Sequence, residues 1–242
     1  MQVIICKNYD EASRKSADVI AAEIKKNPKA ILGLATGNTP IGTYACLVDA
    51  YNKGELDFAE VRSYNLDEYL PIEPSDPNSY NAFMHYHLWD KVNMKPENCH
   101  IPAGNVSFAE APAMCEAYDK EIAAAGGIDI QLLGVGRNGH LGFNEPAEVM
   151  QAGTHVTGLT DSTVAANSVL FENPDDMPRN AVTMGLGSIF AAKKLLVVAL
   201  GKNKHEAVKA ILADGVTTSC PASLLKLHRD VVLVVDEEAY NG

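Results

Sequence analysis

The stretch Gly134 to Pro146, GVGRNGHLGFNEP, crowds Asn138, His140 and Glu145 into eight positions directly behind an apolar run, Ile128 to Leu133. An imidazole and a carboxylate held this close are the residue types that move protons near neutral pH. Gly134, Gly136, Gly139 and Gly142 give the backbone freedom for such polar groups to converge. Glycines also serve plain turns, and a loop histidine is commonly only solvated, so the stretch gains meaning from its partners.

Two further stretches supply them. Thr36-Gly37-Asn38-Thr39-Pro40 follows the apolar run Ala30 to Ala35 and precedes a helical pattern, Ile41 to Tyr51. Gly37 can bring backbone close to a ligand, Thr39 suits a helix N-cap and Pro40 the first turn, so unpaired N–H groups would face an anion such as phosphate. Val61 to Leu66 reads as a third strand, ending in Asp67-Glu68-Tyr69, and Asp67 is thereby placed where ligands of open α/β sheets gather, although an Asp-Glu pair in a loop is commonly solvent-exposed. Lys202 and Lys204 follow a further run, Leu195 to Leu200, and place cations on the same side.

The elements that must position these groups alternate along the chain. Val3 to Cys6 reads as a strand and Asp10 to Lys26 as a helix with Ala12, Ala17, Ile20, Ala21 and Ile24 mainly on one face. Leu70 to Asn78 reads as a loop, Ser79 to Val92 and Ala109 to Ala125 as helices, with Trp89 in the core. His85 and His87 are two apart, do not share a helix face and make a poor metal pair; at most one is expected to be buried. Residues 148–178 are looser, with a helix-like stretch from Asp161 to Phe171, and could form a lid. His205 to Leu212 reads as a helix and Val231 to Val235 as a last strand. The expected fold is α/β: a doubly wound, mostly parallel sheet with helices on both faces, Rossmann-like, in a single domain spanning residues 1–242.

Composition narrows the function. A chain of 242 residues, 47% hydrophobic and 21% charged, can bury a substantial core. Its 31 acids against 20 Lys+Arg repel nucleic acid, and no basic run offsets them. No apolar stretch approaches the ~20 residues of a membrane span, and the N-terminus has no signal-peptide pattern, so a soluble cytoplasmic protein is expected. The five cysteines, Cys6, Cys46, Cys99, Cys115 and Cys220, are scattered and never spaced C-x-x-C, which argues for reduced thiols over disulfides or structural zinc. Neither a dinucleotide fingerprint with its following acid nor a nucleophile elbow is present, and no metal or redox cofactor is expected.

These stretches together resemble the glucosamine-6-phosphate deaminase (isomerase) family. The resemblance rests on LATGNTP, NLDEY followed by NSY, GVGRNGHLGFNEP, MPRNAVTMGLG and PASLLKLH, which run in order from end to end of the chain. It implies an enzyme of amino-sugar and N-acetylglucosamine catabolism that converts glucosamine 6-phosphate and water to fructose 6-phosphate and ammonia, and hence a hydrolase that also isomerises. It further implies that Thr36, Gly37, Asn38, Thr39 and Lys204 hold the phosphate, that Asp67 moves the proton between C2 and C1, and that His140 opens the pyranose ring. Glu145 and Asn138 would orient the histidine. Asn138 stands where some members have Asp, and a His–Asn pair fixes a tautomer without the charge that raises an imidazole pKa. Val169 stands where the family often has a phosphate-binding Arg, leaving Lys202, Arg137 or Arg179 to substitute, or a weaker phosphate site. The partner is a small amino sugar phosphate, with either C4 epimer open, and monomer and homo-oligomer are both admitted. The rivals are a 6-phosphogluconolactonase, which resembles this fold but lacks the FNEP ending, and a sugar-phosphate effector domain, which would have lost Asp67, His140 or Glu145.

Overall fold

The apolar runs KLLVVA and VVLVVD are buried almost end to end, as expected of strands covered on both faces. The computed structural model describes residues 1–168, 171 and 173–242, with 162, 166 and 167 as backbone only. Its strands are β1 (Gln2–Cys6), β2 (Ile31–Leu34), β3 (Arg62–Asn65), β4 (Asp67–Leu70), β5 (Cys99–His100), β6 (Ile130–Gly134), β7 (His155–Gly158), β8 (Asn180–Thr183), β9 (Lys194–Ala199) and β10 (Val231–Asp236). Its helices are α1 (Tyr9–Lys26), α2 (Asn38–Asn52), α3 (Tyr80–His87), α4 (Ala111–Ala124), α5 (Asp161–Asn167), α6 (Leu186–Phe190), α7 (His205–Leu212) and α8 (Glu237–Asn241).

Seven strands form one all-parallel sheet in the order β1-β10-β9-β6-β2-β3-β5, with helices around it. This is the doubly wound α/β arrangement. From β2 the chain runs outward through β3 and β5, then returns to lay β6 on the other flank of β2 and continues through β9 and β10. The direction therefore switches between β2 and β6, and a ligand crevice opens beyond the carboxyl ends of strands at such a point. The loops after β3, β2, β6 and β9, four consecutive neighbours, carry Asp67, the Thr36–Thr39 turn, the Gly134–Pro146 stretch and Lys204.

Local chemistry sets the helices. In α1, Asn8 accepts from the Glu11 N–H at 3.0 Å and Glu11 accepts from the Lys7 N–H at 2.8 Å, while Ala12, Ser16, Ile20 and Ile24 present one buried stripe. α2 begins at Asn38, so its cap is Gly37 at φ +87° and not Thr39, which lies within the first turn. A side chain there would be strained; glycine is not.

Three expectations are revised. The strand expected over Val61 to Leu66 is β3 (Arg62–Asn65), but Asp67 does not trail from it into a loop: it opens β4 of a second, antiparallel sheet ordered β4-β8-β7. Short strands that pair outside the main sheet leave no long apolar run to be read. The helix from Ser79 stops at His87, since Leu88 leaves the helical region (φ −140°, ψ −61°), and Trp89–Lys91 is a separate single turn. α5 ends at Asn167, short of the expected Phe171. Trp89 is buried and donates to Ser63 Oγ at 3.0 Å, whereas neither His85 nor His87 is buried. Val169 lies outside the described residues, as does part of the expected lid. Among the described residues no helix is long and apolar enough to cross a membrane.

Candidate active site

A cavity of ≈ 690 Å³ lies beyond the switch point, lined by Thr36, Gly37, Asn38, Thr39, Asp67, Arg137, Asn138, His140 and Lys204 among others. Of the nine residues assigned a role in the site, all line this one space except Glu145, which contacts His140.

The turn after β2 is fixed from below. The Tyr44 hydroxyl, fully buried, donates to the Ala35 carbonyl at 2.5 Å and accepts from the Ala35 N–H at 3.2 Å. Tyr9 likewise donates to the Asn38 carbonyl at 3.0 Å. No side chain caps the N-terminus of α2 and its first turn holds no acid, so its N–H groups and partial positive charge are directed at the cavity without a built-in anion.

Asp67 is 6% exposed, and burial, followed by the charge of Glu68, pushes its carboxyl up to about 8. A carboxylate poised near neutral pH is suited to taking and returning a proton. β4 pairs Asp67 with Thr183 of β8, and Thr183 Oγ1 accepts from the Phe143 N–H at 3.1 Å. Asn144 Nδ2 donates to the Leu141 and Met184 carbonyls, each at 2.8 Å. The second sheet thus clamps the loop after β6 beside Asp67. Glu68, 2% exposed, is no solvated neighbour: it accepts backbone N–H groups of Tyr69, Tyr80 and Asn81 at 2.8–2.9 Å and so caps α3. Burial pushes it to about 7 in spite of those donors.

His140 Nδ1 stands 3.2 Å from Glu145 Oε1, a close polar contact rather than an aligned hydrogen bond. Burial alone would raise the Glu145 pKa; the His140 contact, the Asn138 amide and the Thr163 hydroxyl outweigh it and hold the group at about 2. Glu145 is therefore an ionised partner across the working pH range. Of the two groups expected to orient the ring, Glu145 meets it and Asn138 acts on the loop around it. Asn138 Nδ2 donates to Glu145 Oε2 at 2.6 Å and its Oδ1 accepts from the backbone N–H of His140 at 3.2 Å, so it holds the loop and the carboxylate and does not touch the ring. The ring itself lies flat over Gly136, where a Cβ would collide with His140 Cε1, Nδ1 and Cγ.

Residues that the motif reading passed over complete the cluster. Thr163 Oγ1 donates to Glu145 Oε1 at 3.1 Å, and the Thr160 hydroxyl, which caps α5 by accepting from the Thr163 N–H, lies 3.4 Å from the same oxygen. The pattern T-x-x-T ahead of a helical stretch was legible as a cap, but not as a support for a carboxylate fifteen residues upstream. Tyr80 and Phe143 line the cavity and stack on each other, with ring centroids 6.3 Å apart and planes 6° from parallel. Lys204 is half-buried, and burial followed by the charge of Arg137 lowers its pKa. Lys202 and Arg179 do not line the cavity. Among the described residues no group of three His, Cys, Asp or Glu side chains could hold a metal ion.

The family model for glucosamine-6-phosphate isomerases/6-phosphogluconolactonase matches residues 7–234. The glucosamine-6-phosphate deaminase of Clostridium perfringens (strain 13 / Type A) is 49% identical over 239 residues, covering 99% of this chain and 98% of its own. That of Thermoanaerobacter sp. (strain X514) is 48% identical, covering 99% and 94%. Among solved structures, a monomeric glucosamine-6-phosphate deaminase superposes with a TM-score of 0.95 at 41% identity, covering 100% of this chain and 99% of its own. A 6-phosphogluconolactonase from Trypanosoma brucei superposes at 0.78 with 20% identity, a likeness of fold.

Proposed function

Since the chain belongs to the glucosamine-6-phosphate isomerase/6-phosphogluconolactonase family, we infer that it converts glucosamine 6-phosphate to fructose 6-phosphate and ammonia. The observation that carries the choice within the family is the ionised Glu145 held against His140, beside a buried Asp67 of raised pKa. A cyclic aminosugar has to be opened before its C2 proton becomes acidic, and the site offers a separate group for each task.

The N-terminus of α2, with Thr36, Gly37, Asn38 and Thr39, and Lys204 hold the phosphate and fix the sugar chain along the crevice. His140, charge-supported by Glu145, shuttles the proton from the O1 hydroxyl to the ring oxygen, which frees the C1 aldehyde. Asp67 as carboxylate then removes the proton from C2, and the electron pair moves through C1–C2 to the C1 oxygen. The resulting enolamine takes the proton back from Asp67 at C1, the nitrogen lone pair closes the C2–N double bond and one N–H proton passes to the C1 oxygen, which leaves an imine at C2. Water adds to that imine, and the carbinolamine expels ammonia to give the ketose. Hydrolysis of the C–N bond thus comes last, after isomerisation. A positioned base or acid contributes about 10²- to 10⁴-fold each, so the phosphate anchor that orients the chain is an equal part of the catalyst. The described part of the 148–178 segment, in which Thr160 and Thr163 meet Glu145, acts as the cover of the site. The setting is cytoplasmic, within N-acetylglucosamine catabolism, and the free cysteines accord with it.

The test is ammonia release and fructose 6-phosphate formation from glucosamine 6-phosphate and its C4 epimer, run beside hydrolysis of 6-phosphogluconolactone. Ammonia without lactone hydrolysis is expected. Lactone hydrolysis without ammonia would overturn the assignment.

A further inference from the structure

We propose, on the reading of this cavity as a sugar-phosphate site, that Arg137 is its second phosphate-binding cation, closing on the phosphate opposite Lys204. Arg137 follows β6 and Lys204 follows β9, adjacent parallel strands, and both line the cavity that the N-terminus of α2 enters. Neither forms an ion pair with a carboxylate among the described residues, in a chain where acids outnumber Lys+Arg by 31 to 20. Lys204 also directly precedes α7, a helix end that disfavours a cation. Arg137 lies close enough for its charge to act on the Lys204 ammonium.

Two unpaired cations and an uncapped helix N-terminus around one space repel one another. A phosphate ester, carrying about −1.5 to −2 charge at neutral pH, offsets that repulsion. The guanidinium fork of Arg137 matches two phosphate oxygens, while Lys204 supplies a point charge. The same geometry selects among the three cations that could stand in for an arginine at position 169. All three are exposed, and of the three Arg137 alone lines the cavity.

The experiment compares Arg137→Ala, Arg137→Lys and a Lys202→Ala control, measuring steady-state kinetics with glucosamine 6-phosphate and calorimetric binding of inorganic phosphate. Arg137→Ala is expected to raise KM about tenfold or more with kcat changed less than about threefold, as for a contact made equally in ground and transition states. The Kd of inorganic phosphate should rise in step, and Arg137→Lys should recover part of both. Unchanged KM and phosphate Kd in Arg137→Ala, or an effect as large in Lys202→Ala, would overturn the assignment. A wild-type protein that binds phosphate but releases no ammonia would count against the deaminase reading alone, and the phosphate Kd would still decide the role of Arg137.

Discussion

Gly136→Ala tests whether the position of His140 matters to within an ångström. The backbone at Gly136 is not in the left-handed region, so alanine introduces no dihedral strain, and what changes is a single methyl group. That methyl would sit less than 3.0 Å from His140 Cε1, Nδ1 and Cγ. Restoring an ordinary carbon contact of about 3.5 Å requires the ring to withdraw by roughly 1 Å. A displacement of that size changes the 3.2 Å approach of Nδ1 to Glu145 and the place of the ring in the cavity. Misplacement of a reacting group by about 1 Å can cost about 10²-fold, so kcat/KM for the cyclic substrate should fall on that scale. Thermal unfolding should shift only modestly, because the half-buried ring can move toward the open cavity. Coupled assay of fructose 6-phosphate and a thermal melt would be run on the same preparation. Near-normal kcat/KM in a folded Gly136→Ala protein would refute the claim that the ring is held in place by packing on this glycine.

The raised pKa of Asp67 predicts an acid limb in kcat/KM near pH 8, since the base acts ionised; a pH profile with no limb above pH 6 would remove Asp67 from that role. For stability the sign is the reverse of the usual carboxylate case: the unfolded chain loses the Asp67 and Glu68 protons near pH 4, the folded one near 8 and 7, so stability falls as pH rises from about 4 to 8. Asp67→Asn should flatten that fall in urea titrations across the window. Thr163→Val removes the hydroxyl donated to Glu145 and should lower turnover of the cyclic substrate by about 3- to 10-fold, the scale of one hydrogen bond, with Thr163→Ser restoring it.

The middle of the main sheet was legible because β2, β6, β9 and β10 are buried almost end to end and read as apolar runs, whereas the edge strand β5, the two half-buried residues Cys99 and His100, was not read as a strand. β6, β9 and β10 were found within a few residues for that reason. β4, β7 and β8 were not, because each is four residues long and mixes Asp67, Glu68, His155 or Asn180 with apolar neighbours. Their pairing is long-range, so nothing local announces it. The same limit applies to the site. Asp67, His140 and Lys204 were found by type and by position after a strand, but the partner of the His140 ring depends on side-chain direction. The resemblance implied that Glu145 and Asn138 both orient the ring, and the fold divides the two: Asn138 turns its amide to Glu145 and to the His140 backbone, and the Glu145 carboxylate is the group that reaches the imidazole. Burial of Asp67 and Glu68 was equally invisible, since an Asp-Glu pair in sequence reads as surface until a second sheet covers it.

The division of labour between Asp67 and His140 is open to direct measurement through exchange of the substrate C2 proton with deuterated solvent, followed by NMR during turnover. In Asp67→Asn, which preserves size and removes the base, C2 exchange and ammonia release should both fall by about 10²-fold or more while phosphate binding persists. In His140→Gln, substrate that opens spontaneously bypasses the missing step, so exchange on the open form should be better preserved than turnover of the cyclic form. Near-normal C2 exchange in Asp67→Asn would contradict the account, and the base would have to be sought in another residue of the cavity.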